Sequence, residues 1–200
     1  MAETPPARPL VLGLAGSPRA RSNSRLLLER VLDGAAAAGA QAELVALREL
    51  TLQSCRHCGG CDATGECVVQ DDMQRIYERL RAAQHLVLAS PIQFAAVSAD
   101  MKAVIDRGQA LWVMTYRLKR PVSPAPGPRR GVFLSTCGGD DLRVFEWAKH
   151  TIEAFLNSAG FRYWGELFEP NTDRPPPVAE RGELLARAGA LGRALLDHRA

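Results

Sequence analysis

Leu10-Val11-Leu12-Gly13-Leu14-Ala15-Gly16-Ser17-Pro18-Arg19-Ala20-Arg21-Ser22-Asn23-Ser24 is the stretch that decides how the rest of the chain is read. Residues 10–15 form a short apolar run without polar alternation, as expected of a parallel strand buried on both faces. The run stops at Gly16, Ser17 and Pro18. A helix is then predicted over 23–38, with Leu27, Val31 and Ala35 at helical spacing and Gly39 as its stop.

Outward from this unit the alternation continues. Strands are predicted at 42–47, 85–89, 131–136 and 161–168. Helices are predicted from Asp71 through Met73, Ile76, Tyr77 and Leu80, and around Val97, Met101, Val104 and Ile105. Two more run from Leu142 to Ala159 and through Leu184, Ala188, Leu191 and Leu195. Five alternations with apolar strands imply an α/β fold, a doubly wound five-stranded parallel sheet with helices on both faces. The proline-rich segments 121–128 and 171–177 fit neither helix interior nor central strand, so both read as surface loops. The first links the third helix to the fourth strand and is a candidate for the site or a subunit contact.

The chain has 200 residues, enough for one domain. Residues 1–9 read as a disordered leader and 10–200 as a single domain with a cysteine-rich loop at 54–70. A net charge of +3, with basic residues scattered among acidic ones, lacks the concentrated stripe expected for nucleic acid. No apolar stretch is long enough to span a bilayer and no signal segment is recognisable, so a cytoplasmic location without membrane attachment is expected.

Ligands of doubly wound sheets bind outside the carboxyl ends of the strands. Three such ends carry loop chemistry. In the first, Ser17, Ser22, Asn23 and Ser24 supply short polar side chains, and Arg19 can chelate two oxygens. With the amides and dipole of the following helix they suit a phosphate, whereas a cap alone would need one hydroxyl. Neither a P-loop nor a dinucleotide fingerprint is present. The second loop, Pro91, Ile92, Gln93 and Phe94, offers amides and an aromatic face, although Phe94 would equally suit the core. The third, Thr136, Cys137, Gly138 and Gly139, lets backbone approach a ligand closely. Cys137 itself reads as a small buried side chain.

Cys55, Cys58, Cys61 and Cys67 are spaced C-x2-C-x2-C-x5-C. In a reducing compartment this is metal or redox chemistry rather than a disulfide framework. The compact run suits an Fe–S cluster, a four-thiolate zinc site is the rival, and redox-sensing thiols without metal are the third reading. His57 reads as a loop residue, since four cysteines complete a ligand set. Asp71 and Asp72 read as helix-capping residues, and Asp106 with Arg107 as a structural ion pair.

The order of these motifs resembles the NADPH-dependent FMN reductase-like branch of the flavodoxin-like superfamily, and within it the iron–sulfur flavoproteins. The resemblance runs from Gly16-Ser17-Pro18-Arg19 and Ser22-Asn23-Ser24 through the cysteines and Gly65-Glu66-Cys67. It continues through Ser90-Pro91-Ile92-Gln93-Phe94, Lys102 to Arg107, Gln109 to Trp112, and Leu134-Ser135-Thr136. It implies a flavodoxin-like strand order 2-1-3-4-5 and FMN phosphate held by Ser17, Arg19, Ser22, Asn23 and Ser24. The isoalloxazine ring would lie along Pro91, Ile92, Gln93 and Phe94, with Thr136, Gly138 and Gly139 on another side. The same resemblance implies one 4Fe–4S cluster on the four cysteines, assembly as homodimer or homotetramer, and electron transfer with NAD(P)H or another redox partner. The rival readings are a metal-free NAD(P)H-dependent flavin or quinone reductase, a non-catalytic electron carrier, and a zinc-stabilised binding module.

Overall fold

A computed structural model describes residues 8–197. Five strands, β1 (Leu10–Ala15), β2 (Gln41–Ala46), β3 (His85–Pro91), β4 (Arg130–Thr136) and β5 (Arg162–Glu169), form one sheet in the order β2-β1-β3-β4-β5. Every pairing is parallel, with Val11 opposite His85 and His85 opposite Arg130. The predicted doubly wound sheet and its order are thus the observed ones. The leader expected over 1–9 falls outside the described residues apart from Arg8 and Pro9. The Pro9 carbonyl accepts the Gln41 amide at 3.0 Å.

The apolar strands explain the layering. Leu12 and Leu14 of β1 enter one core with Leu86, Leu88 and Phe133, whereas Val11 and Ala15 enter the other with Val87, Ala89, Val132 and Leu134. The first core is covered by α2 (Met73–Ala82), α3 (Ala99–Arg107), α4 (Gln109–Trp112) and α5 (Arg143–Ser158). The second is covered by α1 (Asn23–Ala37) and α6 (Gly182–Ala194). These two helices cross at backbone contact. A Cβ at Gly34 would collide with the Gly189 carbonyl, and one at Gly192 with the Val31 carbonyl. Fully burying each leucine of these layers contributes about 1.5–3 kcal/mol.

Three local expectations change. The third helix does not end near Ile105; after Gly108 the chain continues as α4 and a wider π-helical turn, Val113–Arg117. Leu111, Val113 and Met114 are buried there, so packing rather than the α3 pattern extends it. The 121–128 segment lies at the amino ends of the strands, away from the carboxyl edge. Gln84 Nε2, one residue before β3, donates to the carbonyls of Pro126 and Pro128 at 3.2 and 2.9 Å. Arg107 does not pair with Asp106. Asp106 accepts Lys102 at 2.7 Å one turn away, and Arg107 turns inward to Asp71. Sequence neighbours on a helix point in different directions, so the two side chains cannot share a face.

Candidate functional site

At the carboxyl edge, buried serines fasten three loops together. Ser98, the N-cap of α3, donates its hydroxyl to the Gly16 carbonyl at 2.5 Å, and its amide donates to Ser90 Oγ at 2.9 Å. Ser135 Oγ donates to the Ser90 carbonyl at 2.8 Å, and the Ile92 amide to the Thr136 carbonyl at 2.9 Å. The 16–24, 90–94 and 135–139 loops therefore share one framework.

Between them lies a cleft of about 280 Å³. Ser17, Arg19, Ser22 and Asn23 form one wall, Pro91, Ile92 and Gln93 another, and Thr136 and Gly138 a third. Ser22 is the N-cap of α1, its hydroxyl accepting the Arg25 amide at 3.3 Å. Ser17, almost fully buried, accepts the Arg19 amide at 3.3 Å. Both hydroxyls keep their protons for donation. The first-turn amides of α1 have no carbonyl inside the helix to meet them. Arg19 and Arg21 make no ion pair among the described residues. Three of the expected residues stand apart from the wall. Ser24 is buried behind it with an unpartnered Oγ, Gly139 is exposed beside Gly138, and Phe94 is fully exposed.

Phe94 sits at the tip of a tight turn. Phe94 and Ala95 have φ of 48° and 61°, and Gln93 and Ala96 exchange backbone hydrogen bonds at 2.9 and 3.0 Å. Non-glycine residues in this left-handed region cost about 1–3 kcal/mol each and occur mainly at ligand-facing loops.

Beyond β2 the chain runs from Thr51 to Asp72 without helix or strand, held by its flanks. Asp72 Oδ2 accepts the Thr51 amide at 2.7 Å, and Asp71 Oδ2 the Gln53 amide at 2.8 Å. Asp71 Oδ1 also accepts the Met73 amide at 3.1 Å, a capping contact, whereas Asp72, which occupies the N-cap position, makes no side-chain cap bond. Arg117 pairs with Asp62 at 3.0 Å and Arg120 donates to the Thr64 carbonyl, so the segment after α4 clasps the loop. Cys55, Cys58, Cys61 and Cys67 all line one cavity of about 280 Å³, together with His57 and Arg107. Burial pushes the Cys61 thiol above its ordinary value; its backbone hydrogen bond opposes this, while Asp62, Cys67 and Cys55 add to the rise. Among the described residues, no three His, Cys, Asp or Glu side chains converge on one point as a single-ion site would require.

The family model for NADPH-dependent FMN reductase matches residues 9–141, which include all of these expected loops. The chain belongs to this family.

Curated proteins named iron-sulfur flavoproteins are among those similar to it. An iron-sulfur flavoprotein of Methanocaldococcus jannaschii is 33% identical over 115 residues, 58% of this chain and 59% of that one. One from Methanosarcina thermophila is 32% identical over 115 residues, 58% of this chain and 60% of that one. The chain thus matches about three fifths of their length. Among solved structures, an NAD(P)H:quinone oxidoreductase from Methanothermobacter marburgensis superposes with a TM-score of 0.70 at 22% identity. That match covers 97% of this chain and 100% of the other, and establishes the shared fold.

Two groups of site residues in this FMN reductase family member escaped the sequence reading. Thr172 and Asp173 complete the cleft from beyond the matched segment. Thr172 Oγ1 and its amide both donate to the Cys137 carbonyl, at 3.2 and 3.0 Å, and Asp173 packs against Gly138. Arg181 pins this loop, donating to Glu169 at 2.5 Å and to the Asn171 and Arg174 carbonyls at 2.9 Å. A hint lay in the proline-rich 171–177 run, which had to leave β5 at the carboxyl edge. The second is Ser98, whose fastening role, like that of the already quoted Ser135, is visible only once β1, β3 and β4 are adjacent. Cys137 is half-buried, between the cleft loop and β5.

Proposed function

We propose that this chain is an FMN-dependent electron-transfer oxidoreductase of the iron–sulfur flavoprotein type. The observation that carries this reading is the convergence of three strand-end loops on one cleft, with Arg19 and Arg21 beside the amino end of α1 and in no ion pair among the described residues. The residues fit FMN. Two free guanidinium groups, donating hydroxyls and helix amides suit a phosphate dianion. Pro91, Ile92 and Gln93 then offer a flat, mainly apolar wall for a ring system, and Thr136 a hydroxyl at its edge.

The residues also fit a cluster. Four thiols spread around a cavity suit a multi-atom group, whereas tetrahedral zinc needs its four sulfurs gathered about 2.3 Å from one centre. Cys55, Cys58, Cys61 and Cys67 would be the ligands of one 4Fe–4S cluster. When bound, the flavin supplies exchange of a hydride or single electrons and the cluster single-electron transfer. The protein's part is to bind the phosphate, hold the ring against the 90–94 loop and exclude water. NAD(P)H is the proposed donor or a protein carrier its substitute, and the location is cytoplasmic, where thiols stay reduced. Assembly as a homodimer or homotetramer belongs to the same reading, with exposed Phe94, Trp112 and Trp147 as contact residues.

Anaerobic purification with a visible spectrum and assays of flavin, iron and acid-labile sulfide tests this. The expected result is one FMN with about four irons and four sulfides per chain. FMN without iron would leave the metal-free reductase. No flavin after incubation with FMN would end the reading.

A further inference from the structure

Arg107 closes α3 with its side chain turned inward, 1% exposed. Its terminal nitrogens are fully engaged. Nη1 donates to Asp71 Oδ2 at 2.7 Å and to the Gln53 carbonyl at 2.9 Å, and Nη2 to Asp71 Oδ1 at 3.1 Å and the Val69 carbonyl at 3.3 Å. The Tyr77 hydroxyl donates to the Arg107 carbonyl at 2.6 Å, so the backbone is held as well. The third nitrogen, Nε, is buried and has no hydrogen-bond partner among the described residues. A buried guanidinium N–H left unmet is costly, and such groups mark places where an unseen acceptor belongs. The same side chain lines the cavity of Cys55, Cys58, Cys61 and Cys67.

The geometry points to Arg107 as a donor, through its Nε–H, to a sulfur of the cluster held by these cysteines, raising the cluster's reduction potential. This rests on the iron–sulfur reading above. Reduction adds one electron to the cluster, and hydrogen bonds to its sulfurs are among the factors that set the potential. A buried cationic donor favours the more negative, reduced state. Arg56 and His57 line the cavity too, but both are exposed, and solvent and salt screen their charge. Asp71 fixes the guanidinium plane and offsets part of its charge.

The test is an anaerobic redox titration of the FMN- and iron-loaded protein, wild type beside Arg107→Lys. The cluster is followed by electron paramagnetic resonance and the flavin by absorbance, with iron and sulfide assayed on each sample. Lysine keeps a positive charge but removes the Nε–H. The cluster potential is expected to fall by about 60 mV, the one-electron equivalent of a tenfold weaker preference for the reduced state, with the flavin midpoint unmoved. An unchanged cluster potential at full iron content overturns the proposal, as do equal shifts of both centres, which would report general loosening. If Arg107→Lys does not fold or load, the wild type decides: with isotopically labelled arginine, pulsed electron paramagnetic resonance of the reduced cluster is expected to show a coupled guanidinium nitrogen, and its absence overturns the proposal. A wild-type protein that takes up no iron, or a single zinc, overturns this inference and the iron–sulfur reading together. Full loading with an unmoved potential overturns this inference alone.

Discussion

Arg107 and Asp71 form a two-pronged ion pair at 2.7 and 3.1 Å whose side chains are only 1% and 3% exposed. It joins the end of α3 to the last turn of the cysteine loop. Because Asp71 also accepts the Gln53 and Met73 amides, one carboxylate secures both ends of that loop.

Asp71→Asn should therefore destabilise the protein by about 3–5 kcal/mol, because it leaves a buried guanidinium without its counter-charge. The pH dependence has a definite sign. Burial alone would raise the Asp71 carboxyl, but Arg107 and the two amides outweigh it and hold it below the usual carboxylate range. Its contribution is then fully present above the unfolded value near about 3.9 and is lost as pH falls through the lower folded value. Urea midpoints of wild type and Asp71→Asn, measured from pH 7 to pH 3, should converge only below pH ~4. A gap that closed near neutrality would contradict this.

Arg19→Ala should weaken FMN binding and leave riboflavin binding nearly unchanged, since only FMN carries the phosphate. A hydrogen bond to a charged group is worth about 1.5–3 kcal/mol, which corresponds to a roughly 10- to 150-fold higher Kd. Fluorescence titration with both flavins reads the difference, and equal losses would remove the phosphate from this loop.

Ser98→Ala should lower stability by about 1–3 kcal/mol, because it strips the Gly16 carbonyl of its buried donor and α3 of its cap. Flavin affinity should fall with it, as the 16–24 and 90–94 loops lose their common staple. Thermal melts with and without FMN separate the two effects.

Gly192→Ala should cost about 1–3 kcal/mol or more, as overpacking does, because the added methyl meets the Val31 backbone rather than a yielding side chain. The cleft lies at the strand ends, so the FMN dissociation constant of the folded variant should match wild type. A chemical-denaturation curve beside a flavin titration decides it.

Much of this protein was legible in its sequence. Strand periodicity, the turn at 16–24 and the cysteine spacing depend on local stereochemistry and on neighbours a few residues away. Those determine where strands end and which polar side chains gather after β1, and they marked Ser17, Arg19, Ser22, Asn23 and Ser24 as one group, of which the structure sets Ser24 behind the cleft wall. Phe94 was ambiguous because an aromatic in a strand-end loop suits a core or a surface equally. Only the turn formed with Ala95, Gln93 and Ala96 sends it outward.

What the tertiary structure alone decided are contacts between segments far apart in the chain. Arg107 meets Asp71 across 36 positions and Ser98 meets Gly16 across 82. Thr172 and Asp173 reach the cleft because β5 ends beside β4. No periodicity encodes such meetings, since they exist only when the sheet order places distant strand ends side by side. The sequence by itself determined the elements and the chemistry each loop carries; packing decided which of those loops share a wall, and which side chain beside the thiols keeps a buried donor without a partner among the described residues.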